Sequence, residues 1–217
     1  MIINLNLQGK KVTVVGGGKE SLKRINSLLN QNCKITVISN EKSKSIENLV
    51  NKKKIEFKNQ KLENADFLST EKPFLVITTT DDKKLNQLII NKAKKNKIIA
   101  YSSDNPECSD FSNLAIIDFE NLIQIAIFTG GKSPAMSKKI KEQVEKILEK
   151  TITREDLAQI KIQQIARNLA KIKIGTQIRR KAFLKNIMSD KEIKQLIKDG
   201  EPKKAENRVI AILRTWK

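Results

Sequence analysis

The residues with the most evident chemical use are three glycines, Gly16-Gly17-Gly18, set between the apolar run Lys11–Val15 and a helical pattern of Leu22, Ile25, Leu28 and Leu29. A glycine turn between a strand and a helix lets backbone approach a diphosphate, while the helix N-terminus adds N–H donors and partial positive charge. In the segment Val14-Val15-Gly16-Gly17-Gly18-Lys19-Glu20-Ser21, Gly16 permits the tight turn and Gly18 the close approach, and Lys19 and Glu20 open the helix. Ser21 takes the third small position, where Gly or Ala is usual, and is still small enough for close helix–strand packing. The reading is a dinucleotide site that includes Gly16, Gly17, Gly18, Lys19 and Glu20. About 20 residues on, an acidic side chain would hold the ribose of NAD. Here the second strand ends at Ser39-Asn40, either of which can hydrogen-bond a ribose, and Lys42 and Lys44 leave NADP open beside NAD.

Two further groups could do chemistry. Thr79, Thr80 and Asp81 close a fourth apolar run, where hydroxyls and amides can contact a dinucleotide; Asp81 or Asp82 could equally cap the next helix. Asp104, in Ser103-Asp104-Asn105-Pro106, follows the fifth run, at the carboxyl edge where such sheets bind ligands. Asp-Asn-Pro is also an ordinary turn sequence. Thr129-Gly130-Gly131-Lys132-Ser133-Pro134 reads as a helix start with Ser133 as N-cap, and its open end could bind a substrate carboxylate at Gly130 and Gly131.

What is missing narrows the chemistry. There is no histidine, which excludes Ser-His-Asp catalysis and the histidine-based zinc sites and leaves proton transfer to Asp, Glu, Lys, Tyr or Cys. Cys33 and Cys108 lack any CxxC or finger spacing, so no metal site is expected. Cys33 reads as an inert buried thiol and Cys108 as a loop thiol that no histidine can activate.

These groups need a scaffold. Strand-like runs at Lys11–Val15, Ile35–Ile38, Ile55–Phe57, Phe74–Thr78 and Ile98–Tyr101 alternate with helical stretches, among them one carrying Leu85, Leu88, Ile89 and Ala93. That order predicts a parallel sheet with right-handed crossovers. Leu114–Phe119 and Leu122–Phe128 then read as a hairpin about Glu120-Asn121. A helix from Pro134 to about Lys150 should carry Ile140, Val144, Ile147 and Leu148 on one face. Beyond Thr153 only helices are expected, broken near Gly175, Ser189-Asp190 and Gly200-Glu201-Pro202. The expected class is α/β, a Rossmann-like parallel sheet domain followed by a small strand–helix region and an all-helical C-terminal domain. The boundaries read from sequence are 1–112, 113–150 and 151–217.

Composition adds bounds. The chain has 217 residues, a hydrophobic fraction of 39%, only 4% aromatics and a net charge of +19. The core must therefore be aliphatic, and the positive excess, spread over both halves, attracts anions: nucleic acid, an anionic membrane face or a polycarboxylate. With no signal peptide and no apolar run of about 18 residues, a soluble cytoplasmic protein without a membrane partner is expected.

Together these motifs resemble the precorrin-2 dehydrogenase family, including the amino-terminal module of siroheme synthases. The likeness begins at Leu7, runs through Gly16-Gly17-Gly18 with Lys23-Arg24, and is strong at Thr78-Thr79-Thr80-Asp81-Asp82 with Asn86 one turn on. It continues through Ser103-Asp104-Asn105-Pro106 and the Gly130-Gly131-Lys132-Ser133-Pro134 helix start, covering roughly residues 1–150. The helical end resembles the family mainly in length and helicity. The resemblance implies oxidation of precorrin-2 to sirohydrochlorin with NAD as acceptor, Asp104 as general base, and homodimerisation through 113–150. It makes Gly130, Gly131, Lys132 and Ser133 substrate-binding candidates, with Lys138, Arg179 and Arg180 as further partners for an acidic tetrapyrrole. Some members also insert ferrous iron, so a bifunctional dehydrogenase and ferrochelatase is the nearest alternative. A nucleotide-sensing or nucleic-acid-binding regulator is the alternative of another class. The charge favours it, but no recognition helix or basic–aromatic interleaving supports it, so no nucleic-acid partner is expected.

Overall fold

A computed structural model describes residues 2–216. The chain divides into two compact units, Met1–Asn113 and Leu114–Lys217. The first holds five parallel strands: β1 (Lys11–Val15), β2 (Lys34–Ser39), β3 (Glu56–Asn59), β4 (Leu75–Thr78) and β5 (Ile99–Ser102), in the order β3-β2-β1-β4-β5. This is the Rossmann-like α/β arrangement expected, with the strand order reversing beside β1.

Burial explains the order. Val12 to Val15 of β1 and all four residues of β4 are buried, as central strands covered on both faces require, whereas edge strand β3 has no fully buried residue. Two aliphatic cores form. One joins Val12, Val14, Ile25, Val37 and Ile77; the other joins Val15, Ile38, Val76, Ile89 and Ala100. The helices are α1 (Lys19–Leu28, continued by a 3₁₀ turn), α2 (Lys44–Asn51), α3 (Phe67–Glu71) and α4 (Lys83–Lys95).

Register brings the strand ends together. Val15 pairs with both Ile38 and Thr78, and Thr78 pairs with Ser102. The ladder continues one step beyond the strands: Gly16 N–H donates to Ile38 O at 2.9 Å, Thr79 N–H to Val15 O at 2.9 Å, and Ser103 N–H to Thr78 O at 3.0 Å. The glycine turn, the Thr79 turn and the Asp104 loop therefore leave the sheet side by side at its carboxyl edge.

The second unit opens with the antiparallel hairpin β6 (Ala115–Phe119) and β7 (Ile123–Ile127). Glu120 and Asn121 both take left-handed backbone, with φ of 53° and 57°, as a two-residue turn matched to strand twist demands. Five helices follow: α5 (Pro134–Thr151), α6 (Arg154–Lys173), α7 (Gln177–Ser189), α8 (Lys191–Lys198) and α9 (Pro202–Thr215). The last four close around Phe183, Ile162, Ile187, Ile193 and Val209. Phe183 meets Trp216 edge to face at 5.3 Å.

Helix α6 starts with a capping box: Thr153 Oγ1 accepts from Asp156 N–H at 3.2 Å, and Asp156 Oδ2 accepts from Thr153 N–H at 2.9 Å. Those backbone and side-chain bonds from Thr153 hold the Asp156 carboxyl below its ordinary value. A depressed folded value contributes stability above the ordinary carboxylate range and loses it as pH falls through the lowered value. Asp156→Asn is expected to cost about 0.5–1 kcal/mol at neutral pH and to flatten the acid limb of stability. Thermal unfolding of both proteins across the acid range checks this.

Candidate active site

The glycine turn is fixed by steric necessity. Gly16 sits at φ +119°, and a Cβ there would lie 2.5 Å from Thr79 Oγ1. At Gly17 a Cβ would lie 1.8 Å from the carbonyl oxygen of Glu41. Ser43 N–H donates to Gly17 O at 3.1 Å, so the loop after β2 lies directly on the turn. Gly18 differs, because a Cβ there meets nothing within 4 Å. Ser21 is fully buried, and its hydroxyl donates to Thr79 Oγ1 at 2.6 Å while Thr79 Oγ1 donates to Val15 O at 2.8 Å. A small residue at this third position thus serves as a clamp between α1 and β4.

Helix α1 begins at Gly18 with no side-chain cap, whereas α2 and α4 are capped by Ser43 and Asp82. Its first-turn N–H groups therefore stay available to an anion. Asp82, and not Asp81, is the cap of α4, accepting from Leu85 N–H at 3.0 Å.

Around this turn lies a cavity of about 710 Å³. Gly16, Gly17, Gly18, Lys19, Glu20, Ser39, Asn40, Thr79, Thr80 and Asp81 all line it, with Glu41, Lys42 and Ser43. Another cleft of similar size beside α4 contains none of the candidates. The first cavity fits a dinucleotide by chemistry: bare backbone at Gly16 and Gly17, an uncapped helix end, and hydroxyl and amide groups at Ser39 and Asn40. Lys42 is engaged elsewhere, 3.2 Å from Glu47 and 5.3 Å from the centre of the Phe57 ring.

Asp104 is exposed and does not line that cavity, but a buried relay joins the two. Asn86, on the inner face of α4, is completely buried. Its Nδ2 donates to Thr80 O at 2.8 Å and to Asp104 Oδ1 at 2.9 Å, while its Oδ1 accepts from Thr80 Oγ1 at 2.7 Å. Ser102 Oγ donates to the same Asp104 Oδ1 at 2.6 Å. Asp104 Oδ2 makes no hydrogen bond among the described residues. The sequence signal for Asn86 was a polar residue in the apolar stripe of Ile89, Ile90 and Ala93, where an amide survives only if it is hydrogen-bonded. Ser102 had no such signal.

The remaining candidates belong to the second unit. Ser133 caps α5, accepting from Met136 N–H at 3.2 Å, and Gly130 and Gly131 take left-handed backbone at φ 65° and 74°. Lys132 is exposed, Lys138 lies 3.9 Å from Glu142, and Arg180 donates to Ile174 O at 3.3 Å. Arg180 lines a groove of about 470 Å³ with Arg167, Lys171 and Lys181; Arg179 does not. Both thiols are free, and Cys33 is half-buried instead of the fully buried thiol expected, because it lies at the end of the turn after α1. Burial still pushes its pKa up. Among the described residues no cluster of Cys, Asp and Glu could hold a metal ion, and no helix is long and apolar enough to cross a membrane.

The family model described as "Putative NAD(P)-binding" matches residues 3–115. The chain belongs to this NAD(P)-binding family. Within it, the chain is 33% identical over 146 residues to a siroheme synthase of Buchnera aphidicola, covering 67% of this chain and 30% of that protein. It is 24% identical over 149 residues to a precorrin-2 dehydrogenase of Bacillus subtilis, covering 68% of this chain and 88% of that one. The chain thus spans less than half the length of the siroheme synthases it matches. A solved structure titled SirC, precorrin-2 dehydrogenase, superposes with a TM-score of 0.70 at 22% identity, covering 97% of this chain and 99% of that one. At that identity the superposition speaks for the fold.

Proposed function

We propose that this NAD(P)-binding protein oxidises precorrin-2 to sirohydrochlorin, with NAD as acceptor and Asp104 as general base. The observation that carries the reading is the hydrogen-bonded path from the cavity wall at Thr80 through Asn86 to Asp104. It links a cavity whose lining suits a dinucleotide to a carboxylate with one free oxygen. The relatives named for siroheme synthesis and precorrin-2 oxidation supply the substrate class.

Each part of the chain has a task. Gly16 to Glu20 and the α1 N-terminus would hold the diphosphate, Ser39 and Asn40 the ribose, and Thr79 to Asp81 the far side of the dinucleotide. NAD, when bound, supplies a two-electron acceptor for hydride. Asp104 Oδ2 takes the proton that leaves the macrocycle with that hydride. In the second unit, Gly130, Gly131, Lys132 and Ser133 carry backbone donors and a cation of the kind that carboxylates bind. Glu41 on the cavity wall and the pairing of Lys42 with Glu47 support NAD over NADP, since a 2′-phosphate beside them would meet a carboxylate and a lysine already engaged.

The test is anaerobic: precorrin-2, enzyme and dinucleotide, followed by absorbance of product and reduced nicotinamide. Stoichiometric reduction of NAD is expected, with NADP slower by about tenfold or more. Absence of turnover with either dinucleotide would reject the assignment.

The chain also has a surface suited to a second copy of itself. No residue of the 18-residue helix α5 is buried, and Phe128, Met136 and Ile147 are 50%, 45% and 64% exposed. A two-stranded hairpin with one exposed apolar helix needs a further layer. We place a homodimer contact on residues 113–150. Sedimentation should report a dimer at micromolar concentration and Ile147→Lys a monomer; a monomeric parent protein would overturn this. Two free cysteines suit a reducing cytoplasm.

A further inference from the structure

We infer that Asn86 is the positioning residue of this site, holding Asp104 and the dinucleotide wall in one register. The inference rests on the dehydrogenase reading for its kinetic part and on the cavity alone for its binding part.

Both donors and the oxygen of the Asn86 amide are engaged. A side-chain amide has two N–H donors and one oxygen. In Asn86 one N–H goes to the Thr80 carbonyl, the other to Asp104 Oδ1, and the oxygen accepts the Thr80 hydroxyl. No alternative orientation satisfies the same partners, because a flipped amide would set its oxygen against the Thr80 carbonyl and the Asp104 carboxylate. Complete burial removes water as a substitute partner.

The result is asymmetric for Asp104. Oδ1 is saturated by Asn86 and by Ser102, which is itself buried and within 3.1 Å of Thr78 Oγ1. Oδ2 is left as the oxygen free to take a proton. Asp104 lies in an exposed loop, and a carboxylate there would otherwise sample several rotamers. Asn86 and Ser102 hold it from two rigid elements, α4 and β5. Because Asn86 also grips Thr80, any shift of the cavity wall reaches the base through a single amide.

The experiment is a double-substitution cycle with NAD binding measured alongside. Asn86→Ala is expected to lower kcat about 100-fold with a small change in KM for precorrin-2, the scale of a misplaced group. In an Asp104→Asn background the same substitution should cause almost no further loss, because positioning has value only while there is a base to position. NAD affinity should fall about tenfold in both backgrounds, as the Thr80 wall loosens. Asn86→Leu keeps the size while losing all three hydrogen bonds, and should show the same pattern if Asn86→Ala unfolds.

An equal fold loss in both backgrounds would make Asn86 a structural residue only and overturn the inference. So would unchanged NAD affinity, or loss of the fold in both Asn86 variants. If the parent protein binds NAD but does not turn over precorrin-2, the functional reading fails. The NAD titration then still decides the link from Asn86 to Thr80.

Discussion

Asp104→Asn is expected to lower NAD-dependent oxidation of precorrin-2 by about 100- to 10,000-fold while NAD binds as before. The substitution is isosteric, and the geometry says which part of the group it changes. The carboxamide oxygen can occupy the Oδ1 position and accept from Asn86 Nδ2 and Ser102 Oγ as the carboxylate does. The new NH₂ then falls on the free oxygen, so the substitution removes the negative charge and the ability to take a proton there while keeping both bonds to the Oδ1 position. Because Asp104 does not line the dinucleotide cavity, affinity for NAD should stay within about twofold. No histidine exists to substitute, and neither cysteine is placed to do so: the Cys108 thiol donates to Asn105 O at 3.0 Å, and Cys33 lies under α1. Single-turnover absorbance with saturating NAD checks the prediction. A variant that retained turnover within about tenfold would show that the proton leaves by another route.

Much of this site was legible because strand ends are legible. Apolar runs such as Val12–Val15 and Leu75–Thr78 can only be buried strands at that length, and in a parallel sheet their carboxyl ends must gather on one edge. Glycines and acids just after such runs are therefore neighbours in space although they are 60 to 90 residues apart in the chain. Helices α2 and α3 were not legible. Lys44–Asn51 has a single fully buried residue, Ile46, among Asn, Glu and Lys, and Phe67–Glu71 is little more than one turn. Helix α5 shows the limit of a pattern. Ile147, read as sharing one face with Ile140, Val144 and Leu148, is largely exposed, because a pattern reports that a face wants covering and not what covers it. The strand read at Ile55–Phe57 lies one residue later, at Glu56–Asn59, as an edge strand with weak burial allows. The Asn86 bridge was illegible for another reason: it joins α4 to two residues, Thr80 and Asp104, in the loops after β4 and β5, which no local pattern encodes.

The second large effect belongs to the glycine turn, and it separates folding from binding. Gly17→Ala is expected to weaken NAD binding about 10- to 100-fold, from about 1–3 kcal/mol of overpacking. The added methyl would meet the Glu41 carbonyl oxygen at 1.8 Å and its carbon at 2.8 Å, which are backbone atoms that no rotamer change can move. Relief requires breaking the Ser43 N–H to Gly17 O bond and displacing the 39–43 loop, which forms one wall of the cavity. Thermal stability should fall with affinity. Gly18→Ala is the informative partner. Its φ of −87° suits any residue, and a methyl there meets no protein atom within 4 Å. Its unfolding midpoint should therefore match the parent, and whatever the methyl obstructs must be the ligand. Calorimetric titration of both variants with NAD, beside their melting curves, reads the two effects apart. Lost affinity with an intact midpoint in Gly18→Ala would put the diphosphate on the bare α1 end. Unchanged affinity would move it off the turn, leaving Gly16 and Gly17 with a purely steric task against Thr79 and Glu41.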